Sequence, residues 1–319
     1  MPVRVAVLDD HQGIALRSGP WASLGAGVQV EAFTDHGAGD AALAERLAPF
    51  EVVVAMRERT PFTAARLAAL PALRLLVTTG MANPSIDLAA ARERGVVVCG
   101  TGALPSPTAE LAWGLILALL RHIPAEDRSM REGGWQHTIG PELAGRTLAL
   151  LGLGRLGRRM AAIGRAFEMP VIAWSQNLRP EDAAAAGAEA VGMQELFARA
   201  DVLSIHTRLS ARTRGLVGAA ELARMRPGAV LINTSRGPIV DEAALLAALR
   251  DGTLAGAGLD VYDEEPLPPG HPLRSAPNTV LTPHLGYVTT GTYAVYFRDA
   301  VEDIAAFLRG EPVRVLGGA

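Results

Sequence analysis

The chain has 319 residues, 49% of them hydrophobic, which is enough apolar material for two domain cores. Its formal net charge of -3 gives no electrostatic case for nucleic acid or for an acidic membrane surface, which leaves a small-molecule site as the default. A single cysteine, Cys99, excludes an intrachain disulfide framework and a thiolate metal cluster, and all 30 basic residues are Arg, which removes Schiff-base chemistry and the phosphate-loop lysine.

The chain opens on Met-Pro-Val-Arg-Val-Ala-Val-Leu-Asp-Asp, without the apolar core of a signal peptide, and no apolar run reaches the roughly 18 residues of a membrane span. A cytoplasmic protein is expected. Val3–Leu8, Val28–Phe33, Val52–Met56, Leu73–Thr78 and Val96–Cys99 are short, rich in β-branched residues and bounded by turn residues, so they read as buried parallel strands. Ala41–Leu47, Thr63–Leu70 and Ile86–Arg94 between them have helical spacing. The first hundred residues are therefore expected to form a doubly wound domain, with Cys99 a small apolar residue at a strand end.

Thr101–Pro107 reads as a linker, in which Pro105 and Pro107 forbid a helix before Thr108. Ala109–Arg121 follows, apolar nearly all round. Such a helix is covered on every side, between domains, in a subunit interface, or as an ordinary internal helix.

Thr147–Gly157 is an apolar strand breaking into Gly152, Gly154 and Gly157, the pattern G-x-G-x-x-G, with Leu156, Met160, Ile163 and Phe167 at helical spacing beyond. A second apolar strand, Val171–Trp174, completes a βαβ unit. In such a turn Gly152 permits the tight bend, Gly154 leaves room for phosphate, and Gly157 lets the helix pack, with the helix N-terminus facing a pyrophosphate. The later strands are Asp201–His206, Ala229–Asn233, Gly256–Tyr262 and Thr279–Thr282. Asp241–Arg250 is a helix stopped by Gly252. A long amphipathic helix, Thr289–Leu308, carries Tyr293, Tyr296, Phe297, Val301, Ile304 and Leu308 and is expected to return to the first domain. No G-x-S-x-G elbow is present.

Arg236, Glu265 and His284 lie just past strand ends, where open α/β sheets bind ligands. An Arg fork matches a carboxylate, a His carries a proton near neutral pH, and an adjacent carboxylate favours the charged imidazole. Together they read as carboxylate binding plus proton transfer; singly they could be a surface ion pair, a solvated acid and a loop histidine. His11, His36, His122, His137 and His271 show no metal-ligand spacing, and no metal is expected. His206 either rims a cofactor pocket or simply ends its strand.

With these blocks in view, the chain resembles the D-isomer-specific 2-hydroxyacid dehydrogenase family. The resemblance rests on Leu143–Gly157, on Asn233-Thr-Ser-Arg-Gly-Pro-Ile-Val-Asp-Glu-Ala-Ala-Leu, on Gly256-Ala-Gly-Leu-Asp-Val-Tyr-Asp-Glu-Glu-Pro and on Thr282-Pro-His-Leu-Gly. A looser match covers Thr78-Thr-Gly-Met-Ala-Asn-Pro-Ser-Ile-Asp-Leu. The expected fold class is α/β, two doubly wound parallel-sheet domains, with a Rossmann nucleotide-binding domain (102–284) inserted into a flavodoxin-like substrate domain (1–101 and 285–319).

The resemblance implies hydride transfer between NAD(H) or NADP(H) and C2 of a small D-2-hydroxy or 2-oxo acid, of the glyoxylate and hydroxypyruvate reductase kind, bound between the domains. It implies Arg236 as the clamp on substrate carboxylate and carbonyl, His284 as acid/base and Glu265 as the partner of His284. Cofactor contacts would come from Gly152, Gly154, Arg155, Leu156, Gly157, Ser175, His206, Thr234, Arg236 and Asp260, with Asp260 on the nicotinamide carboxamide. Backbone amides near Thr79, Gly80 and Met81 would hold the substrate carboxylate, beside Arg236 and His284. A homodimer through the nucleotide-binding domain is also implied, and would suit the apolar helix from Ala109.

Two departures qualify the resemblance. Trp174 is followed by Ser175-Gln-Asn where many members carry an acid, so the ribose loses its usual partner, a 2′-phosphate is no longer repelled, and NADP is admitted. Met56-Arg-Glu-Arg-Thr-Pro-Phe puts charge where relatives have smaller polar residues; Arg57 and Arg59 either face the substrate or are solvated. Some relatives act instead as nucleotide-sensing corepressors, the alternative from another class, but the enzyme is the expectation. The sequence runs to Ala319, so the feedback-controlled long form of phosphoglycerate dehydrogenase is not expected, and Glu265 argues against a formate dehydrogenase.

Overall fold

The computed structural model describes residues 2–37 and 39–317. Met1, Ala38, Gly318 and Ala319, which the expected substrate domain includes, lie outside the described residues. The chain divides into two compact units, Met1–Leu104 with Thr289–Ala319, and Pro105–Val288.

In the first unit strands and helices alternate: β1 (Val3–Val7), α1 (Ala15–Ser18), β2 (Val28–Ala32), α2 (Asp40–Leu47), β3 (Val52–Ala55), α3 (Ala64–Ala68), β4 (Leu75–Thr78), α4 (Leu88–Glu93) and β5 (Val97–Gly100). The strands form a parallel sheet in the order β2-β1-β3-β4-β5, so the winding reverses between β1 and β3. β3 and β4 are buried along their whole length. Both faces of such a sheet are covered, which is why these strands appear as unbroken apolar runs rather than as alternation. Helix starts follow side-chain chemistry: Thr63 and Asp87 cap α3 and α4 by accepting from the Arg66 and Ala90 N–H groups. Cys99 lies inside β5, one residue short of its end, and is fully buried; burial pushes its thiol up to about 12.

The second unit begins with α5 (Pro107–Leu120) and α6 (Ile123–Arg131) and continues through β6 (Leu148–Leu151), α7 (Arg155–Ala166), β7 (Val171–Trp174), α8 (Pro180–Ala185) and β8 (Glu189–Ala190). Then come α9 (Met193–Arg199), β9 (Val202–Ile205), α10 (Ala219–Leu222), β10 (Val230–Asn233), α11 (Glu242–Asp251), β11 (Gly256–Leu259) and β12 (Thr279–Leu281). All seven strands are parallel, in the order β12-β11-β10-β9-β6-β7-β8, a doubly wound sheet that reverses between β6 and β9. Asp241 caps α11 and Gly252 ends it in the left-handed region.

Two details differ from the sequence reading. α5 starts at Pro107 itself, because the missing N–H costs nothing in the first turn. Within its unit that helix packs on β10, β11, β12 and α7, and Glu110 and Gly114 are exposed in the single chain. Phe167 is not on the buried stripe of α7; it caps that helix, 37% exposed, and stacks on Trp113 at 5.0 Å.

After the second unit, α12 (Thr290–Leu308) packs in the first, against α1 and β4. Tyr293, Tyr296, Phe297, Val301 and Ile304 are buried as their spacing predicts, whereas Leu308 in the last turn is exposed. Apolar periodicity could not flag two acids buried on the same helix. The Asp299 Oδ2 accepts from the Gly102 N–H at 2.8 Å, and the Asp303 Oδ1 accepts from Arg314 Nε at 3.0 Å. Burial pushes the Asp303 carboxyl up to about 7 although Arg314 pulls it down.

Candidate active site

Because all strands of the second unit run the same way, residues scattered over more than a hundred positions of sequence meet along one edge of its sheet. Across the C-terminal ends the order is His284 beyond β12, Asp260 after β11, Thr234–Arg236 after β10, His206 after β9, Gly152 after β6 and Ser175 after β7. The reversal point between β6 and β9, where such sheets bind ligands, falls between Gly152 and His206.

There the backbone is pressed close. Gly152 has φ 106, and a Cβ on it would come within 2.7 Å of the His206 carbonyl oxygen. A Cβ on Gly157 would stand 2.2 Å from the Gly152 oxygen, so the third glycine seats α7 against the turn. Gly154, the N-cap of α7, is exposed with nothing within 4 Å of its missing side chain, and Arg155 and Leu156 open the helix behind it. The Ser175 hydroxyl accepts from the Leu153 N–H at 3.1 Å and so ties the end of β7 to the glycine turn. His206 shares a 2.8 Å hydrogen bond with Ser204, and burial lowers its pKa to about 4, so its ring is neutral at physiological pH. The Thr234 hydroxyl is buried with no partner among the described residues. An open helix N-terminus and an orphaned hydroxyl on the same sheet edge fit a dinucleotide, whose phosphates need the first and whose ribose or amide can satisfy the second.

Arg236 stands on a turn built by its neighbours. Asn233 donates to the Arg236 carbonyl at 2.9 Å and accepts from the Ser235 N–H at 3.0 Å, so the residue ending β10 shapes the loop. Gly237 lets that loop lie against the chain leaving β11, since a Cβ there would strike Tyr262 and Asp263 backbone atoms. The half-buried Arg236 donates from Nη1 to the Ser235 carbonyl at 2.6 Å.

Glu265 and His284 meet. The His284 Nδ1 lies 2.6 Å from the Glu265 Oε2, while the other carboxylate oxygen accepts from the Tyr262 N–H at 2.9 Å. His284 has φ 54, an uncommon conformation for a side chain of its size, held by what flanks it. Asp260, fully buried, accepts from the Thr282 hydroxyl at 2.6 Å, the Leu285 N–H at 2.7 Å and the Gly286 N–H at 2.8 Å. Burial pushes its carboxyl up although those donors pull it down. The Tyr262 hydroxyl donates to the Leu259 and Thr282 carbonyls, clipping β11 to the same segment. The Tyr287 ring meets His284 edge-on at 5.4 Å. Sequence reasoning overlooked Gly237, Tyr262 and Tyr287; the glycine directly after the Arg was the available signal.

In the first unit the amides expected to hold an anion are not equally available. The Thr79 N–H donates to the Ala55 carbonyl at 3.0 Å and the Gly80 N–H to the Thr101 hydroxyl at 2.9 Å. The Met81 N–H has no acceptor among the described residues, and its side chain is 51% exposed. Arg57 and Arg59 are not solvated: both are half-buried, and Arg57 Nη1 donates to the Thr79 carbonyl at 3.1 Å.

The strand-edge arrangement offers a guanidinium for a carboxylate and a carbonyl, an imidazole whose outer nitrogen can give or take a proton, and a carboxylate fixing the inner one. Residues 113–286 match the family described as D-isomer specific 2-hydroxyacid dehydrogenase, NAD binding domain. A glyoxylate reductase of Aeropyrum pernix is 40% identical over 255 residues, 77% of this chain and 76% of that protein. A D-3-phosphoglycerate dehydrogenase of Archaeoglobus fulgidus is 36% identical over 291 residues, 90% of this chain but 55% of the longer protein. The crystal structure of a phosphoglycerate oxidoreductase from Vibrio cholerae o395 superposes with a TM-score of 0.92 at 38% identity, covering 97% of this chain and 99% of that one.

Proposed function

The chain belongs to the D-isomer-specific 2-hydroxyacid dehydrogenase family and is an enzyme dependent on NAD(H) or NADP(H); from that premise we propose that it reduces a small 2-oxo acid of the glyoxylate or hydroxypyruvate kind. The observation that carries the reading is the 2.6 Å contact between His284 and Glu265, on the same sheet edge as Arg236 and the glycine turn. A bound nicotinamide supplies the hydride at C2. Arg236 binds the substrate's carboxylate and carbonyl through its planar fork. Glu265 holds the Nδ1–H of His284, which leaves Nε2 to deliver a proton to the carbonyl oxygen in reduction and to remove it in oxidation. Gly152, Gly154, Arg155, Leu156 and Gly157 take the pyrophosphate, Ser175 borders the adenosine ribose, and Thr234 and His206 line the remainder. Met81 offers its N–H to the substrate carboxylate, with Thr79 and Gly80 fixing the loop that presents it.

Glyoxylate reductases among the relatives support the small substrate. The corepressor reading is not favoured. We place the enzyme in the cytoplasm as a homodimer. Among the described residues no helix is long and apolar enough to cross a membrane. Ile123, Met130, Trp135 and Ile139 are 52, 52, 70 and 96% exposed on α6 and the segment after it, beside a cleft of about 690 Å³ that Pro124, Arg128 and Pro141 line. So much exposed apolar surface in one stretch supports a second copy as its cover.

A panel of 2-oxo acids, each with NADH and with NADPH, followed at the nicotinamide absorbance, tests the reading. Turnover of glyoxylate or hydroxypyruvate is the expected result, and no turnover of any member would refute it.

A further inference from the structure

Asp9, two residues beyond β1, is 1% exposed and has φ 56. Aspartate tolerates that region, but a buried charge held there signals a task. Its Oδ1 lies 2.7 Å from His36 Nδ1, its Oδ2 accepts from the Thr60 hydroxyl at 2.7 Å, and its carbonyl accepts from Arg59 Nη1 at 2.7 Å. Asp9 therefore grips the two residues Arg59 and Thr60, which lie directly beyond Arg57 and Glu58.

Arg57 is likewise left-handed, with φ 52. Its N–H donates to the Thr79 hydroxyl at 2.8 Å and its carbonyl accepts from the Asn83 amide at 2.7 Å. Its guanidinium lies so close to Gly80 that a Cβ there would stand 1.9 Å from Nη1. β1 and β3 flank the reversal point of this sheet, the place where a doubly wound domain presents its ligand groups.

We infer that Asp9, through Thr60 and Arg59, is the positioning residue of the Thr79–Gly80–Met81 loop: it fixes the 57–60 turn, and Arg57 from that turn covers the loop. The inference rests on the proposal that this loop receives the 2-oxo acid. Removing the grip should loosen the loop and weaken substrate binding while leaving the chemical step and the cofactor untouched, since Arg236, Glu265, His284 and the glycine turn all belong to the other unit.

Thr60→Val removes the hydroxyl that donates to Asp9 at nearly constant volume, Arg59→Met removes the guanidinium while keeping an apolar stem, and Thr60→Ser restores the donor. The expected KM for glyoxylate rises about tenfold in Arg59→Met and several-fold in Thr60→Val, and stays near the native value in Thr60→Ser. In all three kcat stays within about twofold and the KM for the nicotinamide is constant. Amide hydrogen exchange at residues 78–83, measured without substrate or cofactor, should quicken in the first two variants only. This readout keeps the inference separate from the reading it rests on, because failure of the wild type to turn over any 2-oxo acid would strike the reading alone. Unchanged exchange and unchanged KM in Thr60→Val and Arg59→Met, or a fall in kcat at constant KM, would overturn the assignment of Asp9.

Discussion

Gly237 faces Tyr262 so closely that a Cβ on the glycine would stand 2.1 Å from the tyrosine's carbonyl carbon. The contact brings the turn carrying Arg236 against the chain that leads to Glu265. Gly237→Ala should therefore cost about 1–3 kcal/mol of stability through overpacking and lower kcat/KM by more than tenfold. Gly154→Ala makes the opposite case, with nothing within 4 Å of the new methyl group. There the melting temperature should hold while the nicotinamide cofactor binds more weakly. Thermal melts and fluorescence titration with cofactor check both.

Arg236→Lys keeps the charge and loses the fork. Turnover should fall by at least about a hundredfold, because one ammonium cannot contact a carboxylate and a carbonyl in the same plane. Binding of cofactor alone should survive. Near-native rates with every 2-oxo acid would mean that Arg236 is not the clamp.

Glu265→Gln tests the carboxylate that touches His284 at 2.6 Å. The carboxylate accepts from the ring's inner nitrogen and so fixes which nitrogen faces the substrate. Losing that acceptor should lower kcat/KM by at least about tenfold in both directions while cofactor binding survives. A comparable loss in Glu264→Gln, with Glu265→Gln near native, would transfer the role to the neighbouring acid.

NADPH should be used at least comparably to NADH. No carboxylate follows β7, and the Ser175 hydroxyl there accepts from the Leu153 N–H. Arg179 does not add a strong claim on a phosphate, since Asp182 and Glu181 pair with it at 2.7 and 3.4 Å. A preference for NADH above about a hundredfold, roughly 2.7 kcal/mol, would contradict the expectation.

Asp303 should give the fold a pH dependence. The unfolded carboxyl titrates near 3.8 and the folded one near 7, so between these values the folded chain holds the extra proton and stability falls as pH rises. Asp303→Asn should remove that fall. The difference in melting temperature between variant and wild type should change between about pH 4 and 7 and level off above, and a constant difference would argue against a raised carboxyl.

The strands were legible because a parallel sheet buried on both faces demands unbroken apolar runs, and β3, β4, β6 and β10 supply them. Glu189–Ala190 was not, since two residues carry no period. The positions of Arg236, Glu265 and His284 past strand ends were readable, but the pairing of Glu265 with His284 came from resemblance, because the two stand nineteen positions apart across loop and strand. What sequence could not show is competition for hydrogen bonds. Thr79, Gly80 and Met81 look alike as amide donors until Ala55 and Thr101 claim two of the three. Asp260 reads as a ligand group from sequence, which does not show that Thr282, Leu285 and Gly286 also donate to it.

Cys99 turns its burial into a tool. As the sole thiol of the chain, sealed inside β5 and lifted to about 12, it resists alkylation at neutral pH for as long as the five-strand sheet stays closed. The rate at which a maleimide captures it in the native protein is therefore a clock for the opening of that sheet. The seven-strand sheet has no thiol and stays silent, so the reagent times one half of a two-unit chain without engineering a label into it.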